Sequence, residues 1–235
     1  APCWVITLVR PNRANWNWHT VNTIEALQQN LENRARRAKK PALSNIFLLN
    51  NYHFILKNVQ GSEVGEEIGV AAQQIYHQWI NEQKETYKNS CNKLLDYLYD
   101  ERFKDVGSSF VKTFLVGKKS PEDIIKARFK GFNNDFAAMF EEQVVFIIAD
   151  EELRQLMRTI LSKILLPPYL AFWEKYKEIP FTKNTEKYLK YSPEVVEALC
   201  NFFFEGQLKE KSSISNYVAT FQSLASSNAD FVDEE

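Results

Sequence analysis

The sequence predicts an all-α fold, and three observations support this. The chain has only seven Gly and eight Pro in 235 residues, whereas strand-rich folds need many tight turns. Apolar residues make up 45% of the chain, which is ordinary for a globular protein and sufficient for a core. Apolar side chains recur at steps of three and four along most of the sequence, which is the period of an amphipathic helix. We therefore expect six or seven helices.

The first half of the chain predicts three helices. Residues 20–40 form a polar pattern that ends in a cluster of cations, which complement the negative end of a helix dipole. Pro41 suits the first turn of a second helix that runs to about residue 60. This second helix is apolar almost all round and is expected to be central. Residues 66–101 carry the longest stripe, roughly 50 Å if continuous, which indicates an elongated molecule.

The second half begins with a clear start signal for a helix. Residues 107–120 break the apolar pattern and form the predicted boundary between two bundles. Ser120 is a hydroxyl cap, Pro121 follows in the first turn, and two acids come next, near the positive end of the helix. A stripe of apolar side chains follows at steps of three and four: Ile125, Phe129, Phe132, Phe136 and Phe140.

Proline and glycine punctuate the remaining helices. Residues 150–176 predict a helix in which Pro167-Pro168 should cause a kink or a break. Ser192-Pro193 repeats the cap chemistry, and Gly206 is a natural stop for the helix that follows. Beyond it the chain is rich in Ser and Asn, with a possible short helix at 216–225.

These patterns divide the chain into four parts. Residues 1–40 form an N-terminal helical segment, 41–119 an upper helical bundle, 120–206 a C-terminal bundle with a basic face, and 207–235 a polar acidic tail. The formal net charge is −1, which argues against binding to duplex nucleic acid. The net charge conceals an uneven distribution, in which a basic stretch is followed by an acidic end. Such a pattern indicates that one part of the protein surface is positive and another is negative.

The sequence contains no recognisable catalytic, cofactor or metal site. His19, His53 and His77 lack zinc spacing, and the three cysteines are too few and too scattered for a disulfide framework. His53, in an apolar helix, is expected to be a hydrogen-bonded core or interface residue. There is no phosphate loop, dinucleotide fingerprint or nucleophile elbow. We therefore predict that the chain is not an enzyme and uses no cofactor.

The candidate functional residues lie in the stretch from Phe181 to Tyr191. Lys183, Lys187 and Lys190 are spaced by four and three, so a helical turn would bring them onto one face. Tyr188 and Tyr191 beside them have apolar rings and polar tips that suit a wet boundary. Such a surface favours anionic lipid headgroups or an acidic partner. On spacing alone, a solvated, lysine-rich connection between two helices is the simpler interpretation.

A second pair of cations could extend this basic surface. Lys126 and Lys130 are four residues apart and share one side of the predicted helix. The run from Arg34 to Lys40 is also basic, and there a charged helix end is the simpler interpretation over a nuclear signal or a phosphate patch.

Three blocks of the sequence resemble the exocyst's seventy-kilodalton subunit family. They are residues 41–52 (PALSNIFLLNNY), residues 124–133 (IIKARFKGFN) and the end of the lysine-rich stretch, residues 187–191 (KYLKY). The blocks occur in the family's order and at about its spacing, and together they extend over most of the chain.

The resemblance implies a fold, a role and a site. The fold would be an elongated rod of stacked antiparallel helical bundles, of which this chain would be the C-terminal part. The role would be that of a non-enzymatic subunit of an octameric complex that tethers secretory vesicles, cytoplasmic and peripheral at the plasma membrane at sites of secretion. The family's lipid-binding lysines, which contact phosphatidylinositol-4,5-bisphosphate, match Lys187 and Lys190, and we add Lys183 on geometry.

The resemblance also implies partners, namely the other exocyst subunits and a Rho-type GTPase. An alternative stays open, in which the chain is a purely protein-binding helical scaffold without direct lipid recognition.

Overall fold

The computed structural model describes residues 18–99, 120–206 and 213–229. Within these ranges the chain folds into eight helices: α1 (Trp18–Arg36), α2 (Pro41–Val59), α3 (Glu63–Ser90), α4 (Asn92–Leu98), α5 (Pro121–Gln143), α6 (Glu151–Tyr176), α7 (Pro193–Cys200) and α8 (Ile214–Ala229). In the same ranges the β pairing consists of one antiparallel bridge between Ile147 and Glu205. The prediction of an all-α helical bundle is confirmed.

Helices α2 and α3 form an antiparallel hairpin. Gly61, with a φ of 74°, makes the turn between them, and Ser62 caps α3 by accepting the amide of Gly65. Near the start of α2, the Asn45 amide donates to the carbonyl of Gln83 at 2.9 Å, close to the end of α3. The hairpin leaves one side of α2 open, where Phe54 is 68% exposed. The expectation that α2 is central is therefore wrong for this side of the helix, which its described neighbours leave uncovered.

The long helix predicted over residues 66–101 is wrong in its length. Helix α3 ends at Ser90 after 28 residues, roughly 42 Å, and the chain turns at Cys91 before the short helix α4. The turn lets α4 leave the line of α3 and direct Leu94, Leu95 and Leu98 into the core. The predicted boundary at residues 107–119 lies outside the described residues, and the four-part division of the chain stays a prediction.

Helices α5 and α6 pack antiparallel through aromatic rings. Phe129 meets Phe172 with ring centroids 4.5 Å apart. One turn further along α5, Phe132 stacks on Tyr169 at 4.4 Å. Such ring pairs add to the free energy of burial beyond their area alone. The phenylalanine stripe read from the sequence is therefore the core of this bundle.

Helix α6 runs without a break through Pro167 and Pro168, so the predicted break is not observed. A proline at 167 removes the hydrogen bond to the carbonyl of Lys163. Both Pro167 and Lys163 are exposed, so water can hydrate the freed carbonyl and the helix continues.

The chain after α7 turns back against the bundle. Helix α7 ends at Cys200, so Gly206 does not stop it as predicted. Instead Phe204 and Gly206 have φ values of 64° and 74° and form a left-handed turn. Buried Arg158 donates from Nε to the carbonyl of Phe203 at 2.9 Å and also pairs with Glu205, which holds this turn in place.

Helix α8 is longer than the helix predicted at 216–225. Its first residue, Ile214, is buried, and the Ile214 amide donates to the Glu141 carboxylate at 3.2 Å. The Tyr217 ring packs edge-on to Phe140 at 5.0 Å and also contacts Phe202. The segment after Gly206 therefore contributes to the bundle through an apolar face.

Candidate functional site

Residues 181–191, here called the lysine loop, join α6 to α7. The loop contains one hydrogen-bonded turn, in which the Thr185 carbonyl accepts the amides of Tyr188 and Leu189 at 2.9 and 2.8 Å. Lys187 lies in this turn, whereas Lys183 and Lys190 lie outside it. The three lysines therefore do not lie in one continuous helical turn, which the predicted spacing required.

Side chains within the loop explain why it does not continue as a helix. The Thr182 hydroxyl accepts the amide of Asn184 at 3.2 Å, and the Asn184 side chain accepts the amide of Lys187 at 3.4 Å. Thr and Asn side chains that bond to nearby amides compete with helical hydrogen bonds and favour turns.

Contacts with α5 and α6 fix the loop on the bundle. Phe181 is buried, and its ring stacks on Phe129 at 5.6 Å with an interplanar angle of 9°. The Asn133 side-chain amide donates to the Tyr188 carbonyl at 2.8 Å. The Tyr169 hydroxyl donates to the Tyr191 carbonyl. Burial raises the pKa of Tyr169, so this hydroxyl remains protonated and keeps its donor.

The two tyrosines of the motif have different environments. Tyr188 is half-buried, with its ring edge-on to Phe181 at 6.0 Å. Tyr191 is fully buried and packs against Phe136. The prediction that both tyrosines lie at a wet boundary is therefore wrong for Tyr191, which is a core residue that anchors the end of the loop.

The three lysines of the loop are exposed. None has a carboxylate within ion-pair distance among the described residues. The Lys187 ammonium lies 6.0 Å from the Tyr188 ring centroid, and the Lys190 ammonium 5.0 Å from that of Tyr191, so each contacts an aromatic face. Glu186 is also exposed in the loop and offsets one of the three positive charges. The loop thus presents a net positive surface to solvent.

The accessory pair lies on the helix beneath the loop. Lys126, Lys130 and Asn133 are spaced by four and three along α5 and share one side of it. Because Asn133 bonds to the loop, that side carries the loop as well. Lys126 pairs with Asp123 at 3.2 Å, whereas Lys130 is exposed. The geometry favours Lys130 over Lys126 as an extension of the surface, and the role of both stays a prediction.

The residues that position the loop were not singled out from the sequence. Phe129 and Phe181 belong to apolar patterns that look like ordinary core. Asn133 carries a signal, because it is a polar residue that is only 5% exposed beside the phenylalanine stripe of α5. Buried polar side chains are usually hydrogen-bonded, so its position predicts a partner such as the loop carbonyl.

Other reactive groups do not form a site in the described ranges. No group of three or more His, Cys, Asp or Glu that could hold a metal ion occurs there. Burial raises the pKa of Cys91 to about 11 and that of Cys200 to about 12, so both remain neutral thiols. His53 is half-buried on α2, and desolvation lowers its pKa.

None of the helices described here combines the length and the apolarity that a membrane crossing requires.

Comparison with known proteins gives one consistent result. A family model for the C-terminal part of the Exo70 exocyst complex subunit matches residues 11–201. Human exocyst complex component 7 is 36% identical over 185 residues, which cover 76% of this chain and 24% of that protein. Exocyst complex component EXO70A1 of Arabidopsis thaliana is 30% identical over 192 residues, covering 80% of this chain and 30% of that protein. The chain thus spans between a quarter and a third of the length of these relatives.

Proposed function

Because the chain belongs to the Exo70 family of exocyst proteins, matching its C-terminal part, we propose that it acts within an exocyst subunit that tethers secretory vesicles at the plasma membrane. The similar proteins from human and Arabidopsis thaliana carry the name of exocyst components, which supports the other exocyst subunits as partners. Tethering needs binding surfaces and no chemical step, which agrees with the prediction that the chain is not an enzyme.

We propose further that the lysine loop contacts the headgroup of phosphatidylinositol-4,5-bisphosphate. Lys183, Lys187 and Lys190 are exposed and have no described carboxylate partner. Each lysine near an anionic leaflet contributes about 1 kcal/mol, and salt screens this contribution. Three lysines, partly offset by Glu186, make a weak anchor, so stable attachment requires further contacts in the assembled complex.

The observation that carries this proposal is the division of the loop into an inward and an outward side. Phe181 and Tyr191 are buried in the bundle while the lysines remain in solvent. The loop backbone is held by Asn133. A loop that is already ordered loses less conformational entropy when a ligand binds than a free loop would. The arrangement therefore suits repeated, reversible adsorption to an anionic surface.

Liposome co-sedimentation tests the lipid contact. The chain is mixed with vesicles of a neutral phospholipid, prepared with or without phosphatidylinositol-4,5-bisphosphate, at low and at high salt. Lys187→Ala with Lys190→Ala should weaken binding by roughly 30-fold, which corresponds to about 2 kcal/mol. Lys39→Ala with Lys163→Ala is the matched control, since it removes two exposed lysines outside the loop.

Two results would contradict the lipid contact. One is native binding that ignores both the phosphoinositide and the salt concentration. The other is an equal loss of binding in the control variant, which would mean that any two positive charges serve and that the loop has no special role.

The second candidate is a protein-binding scaffold in which the loop meets an acidic partner and lipid plays no part. Glu186, in the middle of the loop, favours this alternative, because alternating charges suit a complementary protein surface better than a uniformly anionic leaflet. Assembly of the complex in the absence of lipid distinguishes the two. Loss of assembly in Lys187→Ala with Lys190→Ala would support the scaffold, and normal assembly would support the lipid contact.

From the resemblance of the sequence blocks we also propose a Rho-type GTPase as a further partner and a peripheral location at the plasma membrane at sites of secretion. Binding of the chain to GTP-loaded and GDP-loaded forms of such GTPases, compared side by side, tests the first of these proposals. A preference for the GTP-loaded form is the expected result.

A further inference from the structure

Helix α2 exposes a row of apolar side chains. Leu43, Phe47 and Phe54 follow one side of the helix at steps of four and seven, across about three turns. Leu43 is 41% exposed, Phe54 is 68% exposed, and Phe47 is half-buried. A single exposed leucine is ordinary, but a row that includes a mostly exposed phenylalanine indicates an interaction surface.

The segment that leads into α6 widens this row. The Asn50 side-chain amide donates to the Ile147 carbonyl at 2.6 Å, and the Lys57 ammonium pairs with Asp150 at 2.6 Å. These two bonds hold residues 147–150 beside α2. The Ile147 side chain is 61% exposed, and its backbone is held beside α2 by the bond from Asn50. We call Leu43, Phe47, Phe54 and Ile147 together the α2 face.

One end of the α2 face is positively charged. Arg34 in the last turn of α1, and Arg37 and Lys39 between α1 and α2, are exposed, and none has a carboxylate partner among the described residues. The neighbouring Lys40 is already paired with Glu142 at 3.0 Å. The N-terminal end of α2 adds the positive end of its dipole. At the other end of the face, Asp150 neutralises Lys57.

The α2 face and the lysine loop lie on opposite sides of α5. Asn133 of α5 contacts the loop, while Glu142, nine residues later, contacts Lys40 at the start of α2. Nine residues are two and a half helical turns, so the two side chains point in opposite directions. The lysine loop and the start of α2 therefore pack on different sides of α5, as two separate surfaces.

We propose that the α2 face binds an amphipathic helix of another exocyst subunit, with acidic residues of that helix over Arg34, Arg37 and Lys39. This inference rests on the proposed place of the chain in the complex. The three-turn row is long enough to pack against the apolar stripe of a second helix. The cations at one end require acids at the matching end of the partner and so set its direction. A second copy of this chain fits poorly, because the end of its α2 face opposite the cations is neutral.

Site-specific photo-cross-linking in the reconstituted complex tests the proposal. A benzophenone amino acid replaces Phe54 in one sample and Ile147 in another. The control replaces Leu170, which is 46% exposed on α6. The expected result is that positions 54 and 147 cross-link to the same amphipathic, acid-bearing segment of one other subunit, and that position 170 does not. Charge reversal by Arg37→Glu with Lys39→Glu should reduce the yield at position 54 at least fivefold.

Several outcomes would overturn the proposal. They are cross-links to this same chain, to a second copy or to lipid, equal yields at position 170, and a partner segment without acids. Phe54→Ala gives an independent measurement, since its side chain is mostly exposed and folding should not change. It should weaken assembly about tenfold. If the complex forms normally with no such cross-links, this inference fails and the proposed function stands. If the native chain does not join the complex at all, both fail.

Discussion

Gly131 of α5 offers a sharp test of how the two halves of the described structure are joined. The Tyr97 ring of α4 lies directly over this glycine, and its hydroxyl donates to Asp135 at 2.8 Å. A Cβ atom at position 131 would lie 2.3 Å from Cε1 of the Tyr97 ring and 2.8 Å from two further ring atoms. Since these are side-chain atoms in a packed interface, the whole ring would have to move.

Two opposing effects determine the result of Gly131→Ala. Alanine in place of glycine inside a helix stabilises by about 1 kcal/mol. Overpacking costs about 1–3 kcal/mol, and displacement of the ring also weakens a hydrogen bond to a carboxylate, which contributes about 1.5–3 kcal/mol. The cost exceeds the gain, so we expect a net destabilisation of about 2 kcal/mol. For a chain of this length that lowers Tm by roughly 4–8 °C.

Urea unfolding of a double-mutant cycle checks this reasoning. In a Tyr97→Ala background the ring is absent, so Gly131→Ala should become neutral or stabilising, up to about 1 kcal/mol. Tyr97→Phe keeps the ring but removes the hydroxyl, and there the clash should persist. If Gly131→Ala stabilised the native protein, or had the same effect in all three backgrounds, steric contact with Tyr97 would not be the reason for glycine at this position.

Two further predictions concern the N-terminal cap of α6 and the proline in its middle. The hydrogen bond from Lys57 lowers the pKa of Asp150 most, and the bond from the Leu153 amide lowers it further. The stabilisation by the charged carboxylate is therefore fully present above the usual aspartate pKa of about 4. It is lost as the pH falls through the lower pKa of the folded state. Asp150→Asn keeps a good helix cap and removes only the ion pair with Lys57. Its Tm should therefore lie below that of the native protein at pH 7, and the difference should shrink towards pH 3. A constant difference in Tm across this range would contradict the ion-pair explanation. Pro167→Ala restores an amide to an exposed position inside α6 and should raise Tm by several degrees in calorimetry, because proline in a helix interior costs about 3 kcal/mol, whereas an unchanged or lower Tm would show that the proline fits α6 without strain.

The helices of this chain could be predicted from local signals because those signals are complete within a few residues. Ser120-Pro121 and Ser192-Pro193 mark two helix starts, and the structure begins α5 and α7 at those prolines. The phenylalanine stripe of α5 likewise identified the core of the C-terminal bundle. In each case the residues that predict the feature also form it: the serines cap the helices, and the phenylalanines are buried in the core.

The interruptions depend on contacts that no local pattern contains. The turn at Cys91 follows from where α4 packs, and the stripe continues through it without a change. The chemistry of the two prolines of α6 predicts a kink or a break. The helix continues without a break because water can hydrate the carbonyl of exposed Lys163, which loses its helical hydrogen bond.

The lysine loop shows the same limit at the candidate site. Its spacing suggested a helix, whereas Thr182 and Asn184 bond to the backbone and turn the chain. The burial of Tyr191 depends on the Phe136 ring of α5, more than fifty residues earlier in the chain. Tyr188 packs on Phe181 of the loop, which in turn stacks on Phe129 of α5. The identity of the candidate lysines could be predicted from sequence, and their spatial arrangement could not.

The attachment of the lysine loop has a mechanical consequence. In the proposed tethering role the load would act along the line between the membrane and the vesicle, and a flexible loop under such a load would extend before it transmitted force. Here a pull on Lys187 acts at once on the Tyr188 carbonyl and its bond to Asn133, and a pull on Lys190 acts on the buried Tyr191. Both routes lead to α5, whose Phe129 and Phe132 pack on Phe172 and Tyr169 of α6. The lysines of the loop are therefore attached to the packed helices α5 and α6, so a force applied to these lysines would be transmitted to the bundle rather than extend the loop.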